Sequence, residues 1–178
     1  MQKMRSDVLN THMAPKKEVN EIKNKIEKIV VNAGVGRLSS QANFEDKVLV
    51  QIERDLALLT GQKPQVTRAK KSIAGFKTRE GQIVGVRITL RGRKMVDFLE
   101  RLVRIVLPRV HDFRGLDIKS VDKGGVLNIG LREQMVFPEV NPEQSPVTFP
   151  LGVNIVPKEK VREVAIGTYK ELGFPFKK

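Results

Sequence analysis

The nine residues Ile83-Val-Gly-Val-Arg-Ile-Thr-Leu-Arg91 alternate apolar with polar or small side chains. Successive side chains of a strand point to opposite faces, which predicts Val84, Val86, Ile88 and Leu90 on one face and Gly85, Arg87, Thr89 and Arg91 on the other. Half of this strand belongs to a core, half to a polar surface. C-terminal to it, Met95, Val96, Phe98, Leu99, Leu102, Val103, Val106 and Leu107 form an apolar helix that packs under the sheet and stops at Pro108. N-terminal to it, Gln65-Val-Thr67 reads as a further strand. Phe44, Val48, Leu49, Ile52, Leu56 and Leu59 recur at helical intervals, with Asn43 placed to cap and Gly61 to terminate.

Further out, the β-branched run Ile26 to Asn32 reads as a strand entering a glycine turn at Gly34-Val-Gly36. Val19, Ile22, Ile26 and Ile29 keep helical spacing, so a helix can lead into it, with the boundary left open. Between His111 and Pro150 the chain is rich in Gly and Pro, interrupted by one alternating strand, Val126 to Arg132; Leu151 to Val156 is another. After Pro157, the residues Val161, Val164, Ala165, Thr168 and Leu172 predict a last helix ended by Gly173. The expected fold is α+β in one domain spanning 1–178: a mostly antiparallel sheet, helices on one face, the other face open, and a long basic hairpin-like loop.

The 178 residues carry 33 Lys and Arg against 20 Asp and Glu, a net charge of +13. The excess is local, since residues 62–94 hold ten of the cations and a single acid, Glu80. One sign over so long a stretch repels itself unless a polyanion neutralises it, which points to nucleic acid. The chain has no Cys, which excludes disulfide scaffolds, thiolate metal sites and cysteine nucleophiles, and its two His, His12 and His111, are too few for an imidazole-rich metal centre. The first thirty residues are charged throughout, with no apolar signal region. No apolar run approaches the roughly 18 to 20 residues that span a bilayer. The expectation is a cytoplasmic chain with no membrane partner.

Alternation places Asn32, Thr67, Arg87, Thr89, Arg91, Asn128 and Asn154 on the open face, where donors suit phosphates, 2′-hydroxyls and base edges. The eight Phe and the single Tyr avoid the strand positions facing that surface, so the face does not stack single-stranded bases. A folded, helical RNA held by backbone and minor groove fits better. The stretch 69–81 is too long for a hairpin turn and reads as a second RNA-contacting finger, with Lys70, Lys71, Lys77 and Arg79, an apolar tip at Phe76, and Gly75 and Gly81 for backbone freedom.

Enzymatic signals are weak. Gly34-Val-Gly36 lacks the third glycine of a dinucleotide loop and any Gly-Lys-Ser/Thr, while Asp112, Asp117 and Asp122 match no metal template. No cofactor or catalytic residue is assigned; a nucleic-acid-processing enzyme and a basic adaptor stand as alternatives.

Several strings, in order, resemble one family: Lys28-Ile-Val-Val-Asn-Ala-Gly-Val-Gly36, Leu59-Thr-Gly-Gln-Lys-Pro64, the finger Ala69 to Gly81, Val86 to Gly92, Pro108 to Gly115 with Asp-Phe-Arg-Gly, Leu131-Arg-Glu-Gln-Met-Val-Phe-Pro-Glu139 and Gly173-Phe-Pro-Phe-Lys177. From about residue 26 onward the chain is similar to the bacterial form of large-subunit ribosomal protein five, the 5S rRNA-binding family of the central protuberance. The resemblance implies a structural protein among large-subunit rRNA and proteins that attaches 5S rRNA through Asn32, Gln62, Lys63, Thr89 and Arg91. It also implies that Lys70, Lys71, Ser72, Gly75, Phe76, Lys77 and Arg79 approach P-site tRNA, and that the loops after Pro108 meet small-subunit protein thirteen in an intersubunit bridge. Residues 1–25 depart from the family pattern: Val19-Asn-Glu-Ile-Lys-Asn-Lys25 stands where a Met-Gln-Val-Pro-like segment is usual, so no RNA contact is carried over there.

Overall fold

The computed structural model describes residues 16–40 and 43–177, and His12 lies outside the described residues. Helix α1 (Lys16–Lys25) runs directly into strand β1 (Ile26–Gly34). A π-helical turn, Phe44–Leu49, leads into α2 (Val50–Thr60), followed by β2 (Gln65–Arg68), the finger and β3 (Ile83–Leu90). Then come α3 (Gly92–Arg101), β4 (Leu127–Leu131), β5 (Leu151–Pro157) and α4 (Arg162–Glu171). The five strands lie in the order β2-β3-β1-β5-β4, every neighbouring pair antiparallel.

Period-two burial divides the sheet. Ile29, Val31, Ala33, Val86, Ile88, Leu90, Leu127, Ile129, Leu131, Leu151, Val153 and Ile155 are buried against the helices, while the intervening side chains stay exposed or half-buried. Beneath lie Ile52, Leu56 and Leu59 of α2 and Met95, Val96, Phe98 and Leu99 of α3. Phe98 stacks on Phe137 at a centroid distance of 6.0 Å.

Four details depart from the sequence expectation. Thr67 pairs with Gly85 but Arg68 pairs with Ile83, so β3 bulges at Val84. The bulge turns Ile83 into the core and leaves Val84 half-buried, its carbonyl accepting from Val35 N. Asn43 makes no side-chain cap; it occupies a left-handed conformation (φ 59°) that starts the π-helical turn. The α3 helix does not stop at Pro108: it continues through a second π-helical turn, Leu102–Val106, into a final turn, Leu107–Arg109. Proline lacks a donor and crowds the carbonyl of the preceding turn, and here it falls in the last turn, with the helix ending one residue later at Arg109. At the start of α4, the N-cap Val161 and the helical Val164 are 53% and 50% exposed, and the buried stripe is Ala165 and Tyr169. The Tyr169 hydroxyl decides this, lying 2.8 Å from Gly125 O and 2.9 Å from Ile155 O. Gly61 does end α2 in a left-handed conformation, its N–H donating to Ala57 O.

Candidate nucleic-acid interface

Only Glu27 supplies a carboxylate within the five strands, and it sits in the irregular start of β1 paired with Lys28 at 3.2 Å. The open face therefore carries mostly donors and glycines, with Val30 and Val156 as half-buried apolar positions among them. One row across all five strands reads Gln65, Arg87, Asn32, Gly152, Gly130; the next reads Thr89, Val30, Asn154, Asn128 over the four strands beyond β2.

Three asparagines link these rows. Asn32 Nδ2 donates to Asn154 Oδ1 at 2.9 Å, and Asn154 Nδ2 donates to Asn128 Oδ1. The first link of this ladder needs glycine at 152: a Cβ there would collide with Asn32 Oδ1 in this orientation. Each carboxamide has two donor hydrogens and two acceptor lone pairs, so the ladder leaves capacity for an outside partner. Gly130 lies opposite Gly152 with no atom near its missing Cβ, so the surface beside the ladder is flat.

At the C-terminal end of β3 the loop after α2 is fastened to the sheet. Gln62 Nε2 donates to Thr89 O at 3.3 Å, and Lys94 Nζ donates to Gly61 O at 2.6 Å. These contacts bring Gln62, Lys63, Thr89 and Arg91 together, with Lys63 and Arg91 exposed. Asn32 lies one strand and one outward position away, on the row of Arg87. Arg87 reaches Gln65 Oε1 with both Nε and Nη2 at 3.4 Å.

The finger leaves the opposite end of β3, so its residues do not join that group. Ladder pairing continues past β2 through Ala69 N to Gln82 O and Gly81 N to Ala69 O, and an isolated bridge joins Ile73 to Thr78. A 3-10 turn, Ala74–Phe76, makes the tip. The left-handed positions are Lys77 (φ 51°) and Gly81 (φ 80°), so Gly75 does not supply the freedom expected of it. The Ser72 hydroxyl accepts from Glu80 N at 2.9 Å and so braces the finger. Lys70, Lys71, Lys77 and Arg79 are all exposed, and Phe76 is 81% exposed.

What sequence reading passed over is the glycine opposite Asn32 and the clamp of Lys94 on Gly61. Both depend on cross-strand register, which only the assembled sheet reveals. The nearest signal was Gly152 itself, an uncommon residue inside a strand.

Residues 83–176 match a family model described as the C-terminus of the ribosomal L5 family, and residues 23–79 match one described as Ribosomal protein L5. The chain belongs to the ribosomal L5 family. Among similar curated proteins, the large ribosomal subunit protein uL5 of Pseudothermotoga lettingae is 46% identical over 91% of this chain and 86% of its own length. The namesake of Thermus aquaticus is 44% identical (86% and 82% covered), and that of Acholeplasma laidlawii 47% (86% and 83% covered). L5 family proteins are structural constituents of the large ribosomal subunit that bind ribosomal RNA, so this member is a component of the cytoplasmic ribosome and not an enzyme. Among the described residues no helix is long and apolar enough to cross a membrane.

Several family-like strings have visible structural duties. Gly115 (φ 97°) lets Leu116 pair in parallel with Phe176, with Leu116 N donating to Pro175 O at 2.7 Å. Asp-Phe-Arg-Gly and Gly-Phe-Pro-Phe-Lys thus meet in space. Gln134, fully buried, donates to Val147 O at 2.8 Å and accepts from Phe149 N at 2.9 Å, pinning the loop before β5. Asp117 and Asp122 accept from the backbone of their own turns at 2.9 Å and 2.8 Å, and His111 is exposed. Among the described residues no three His, Asp or Glu gather to hold a metal ion.

Proposed function

We propose that this ribosomal L5 family protein anchors 5S rRNA in the central protuberance through the open face of its sheet, and that its finger reaches toward P-site tRNA. The observation that carries the reading is the segregation of charge: amide and cationic donors occupy one sheet face almost free of carboxylates. Gln62, Lys63, Thr89 and Arg91 form the basic end of this face and Asn32 its centre. A rigid array of this kind suits a folded RNA, whose phosphates position the complex and whose 2′-hydroxyls meet the amides. Lys70, Lys71, Ser72, Gly75, Phe76, Lys77 and Arg79 belong to the separate finger surface, and the loops after Pro108 are the proposed contact with small-subunit protein thirteen.

Filter binding of 5S rRNA across a salt series tests the assignment. Affinity is expected to fall linearly in log–log, with a slope of roughly −0.7 to −0.9 per neutralised phosphate. Thr89→Ala with Arg91→Ala lowers 5S affinity, whereas Lys70→Ala with Lys77→Ala spares it and impairs P-site tRNA binding on reconstituted ribosomes. Equal losses of 5S affinity from the two pairs would refute the division into two surfaces.

A further inference from the structure

Between the finger and the end of β1 lies a cleft of about 850 Å³. Its floor is Gly34, Gly36 and Val84, its wall is Phe76, and Arg37 and Lys77 flank it. The floor is open because Gly34 carries no side chain: a Cβ there would meet nothing within 4 Å, and one at Gly36 only Val84 O at 3.9 Å. The bulge at Val84 brings this apolar residue to the cleft instead of the core. Gln82, also lining it, is committed elsewhere: its Nε2 donates to Ser39 Oγ at 2.7 Å and its Oε1 accepts from Arg79 N at 2.9 Å.

We infer that this cleft receives a single unstacked RNA base, laid against Phe76, with its phosphate between Arg37 and Lys77. Three features select that occupant. An aromatic ring that is 81% exposed on a braced tip holds a π-face open to a planar partner. No Asp or Glu lines the cleft, and two cations do, so the ligand is anionic at its edge and apolar in its body. Aromatic stacking accepts any base, since every base has a π-face, and inside a cleft it takes a base that is not already sandwiched between neighbours.

The inference rests on the finger being an RNA-contacting surface, and the test separates the two. The full-length protein is titrated against two RNA hairpins, one fully paired and one carrying a single 2-aminopurine bulge. The expected result is roughly tenfold tighter binding of the bulged hairpin with a change in 2-aminopurine fluorescence. Phe76→Leu and Gly34→Ile abolish that preference, and Phe76→Tyr keeps it. Equal affinity for both hairpins, or a preference that survives Phe76→Leu, overturns the base-binding cleft. Lys70→Ala with Lys77→Ala weakens both hairpins; if it weakens neither, the finger itself is not an RNA surface. In assembled ribosomes a photocrosslinker at position 76 is expected to attach to an unpaired nucleotide, and attachment to a protein instead would overturn the proposal.

Discussion

The two ends of β3 are both cationic, yet they are built differently. At Thr89 to Arg91 the charges stand on a strand whose alternate residues, Ile88 and Leu90, are in the core, and the neighbouring loop is fastened by Gln62 and Lys94. At the finger, the tip turn buries no residue, and its shape comes from its own backbone bonds and from Ser72 and Gln82. The first end borrows rigidity from the whole molecule and the second supplies its own. Changes at the first should therefore couple binding to folding, while changes at the second should register in binding alone.

The largest expected effect tests that coupling directly. Leu90→Ala, under the basic end, should cost about 2–5 kcal/mol in urea unfolding, because it opens a cavity where the surroundings relax only in part. Phe76→Ala should stay within about 0.5 kcal/mol of wild type. A comparable loss from both would erase the distinction. Gln134→Ala comes next, at about 1–3 kcal/mol, since it leaves the buried Phe149 N without its acceptor and Val147 O with Gln51 alone as donor.

A smaller effect sharpens the account of the open face. Gly152→Ala should reduce 5S rRNA affinity about fivefold, the equivalent of one hydrogen bond of about 1 kcal/mol, while leaving the urea midpoint nearly unchanged. The new methyl group displaces the Asn32 carboxamide and unhooks it from Asn154. Unaltered 5S affinity would mean the amide ladder only organises the sheet.

The smallest effect appears only at alkaline pH. Burial pushes the Tyr169 phenol above its ordinary value, because the phenolate is poorly solvated there. A raised folded-state value leaves its contribution complete below the unfolded value of about 10 and erodes it as pH rises beyond that. Wild type should consequently lose stability relative to Tyr169→Phe above about pH 10, with a constant difference between about pH 7 and 9. A difference independent of pH throughout would contradict the buried phenol's role.

Alternation alone made the sheet and its two faces legible, because strand geometry forces successive side chains to opposite sides whatever the strand pairs with. The same logic placed Asn32, Thr89 and Arg91 outward and put α2 and α3 against the core. It failed at Val84, where a bulge depends on the partner strand, and at Val161 and Val164, where α4 rotates to bury Tyr169. Helical spacing leaves two adjoining stripes nearly equivalent, and a hydroxyl meeting two distant carbonyls chose between them.

Local residue order thus determined the elements, their inward and outward sides, the concentration of charge in 62–94 and the family resemblance. Cross-strand register, and with it the Asn32–Asn154–Asn128 ladder, the glycine it needs at 152 and the cleft beneath Phe76, was decided only by the tertiary structure. The reason is range: periodicity acts over neighbours a few residues apart, whereas these contacts join residues separated by up to 122 positions, which only strand pairing brings together.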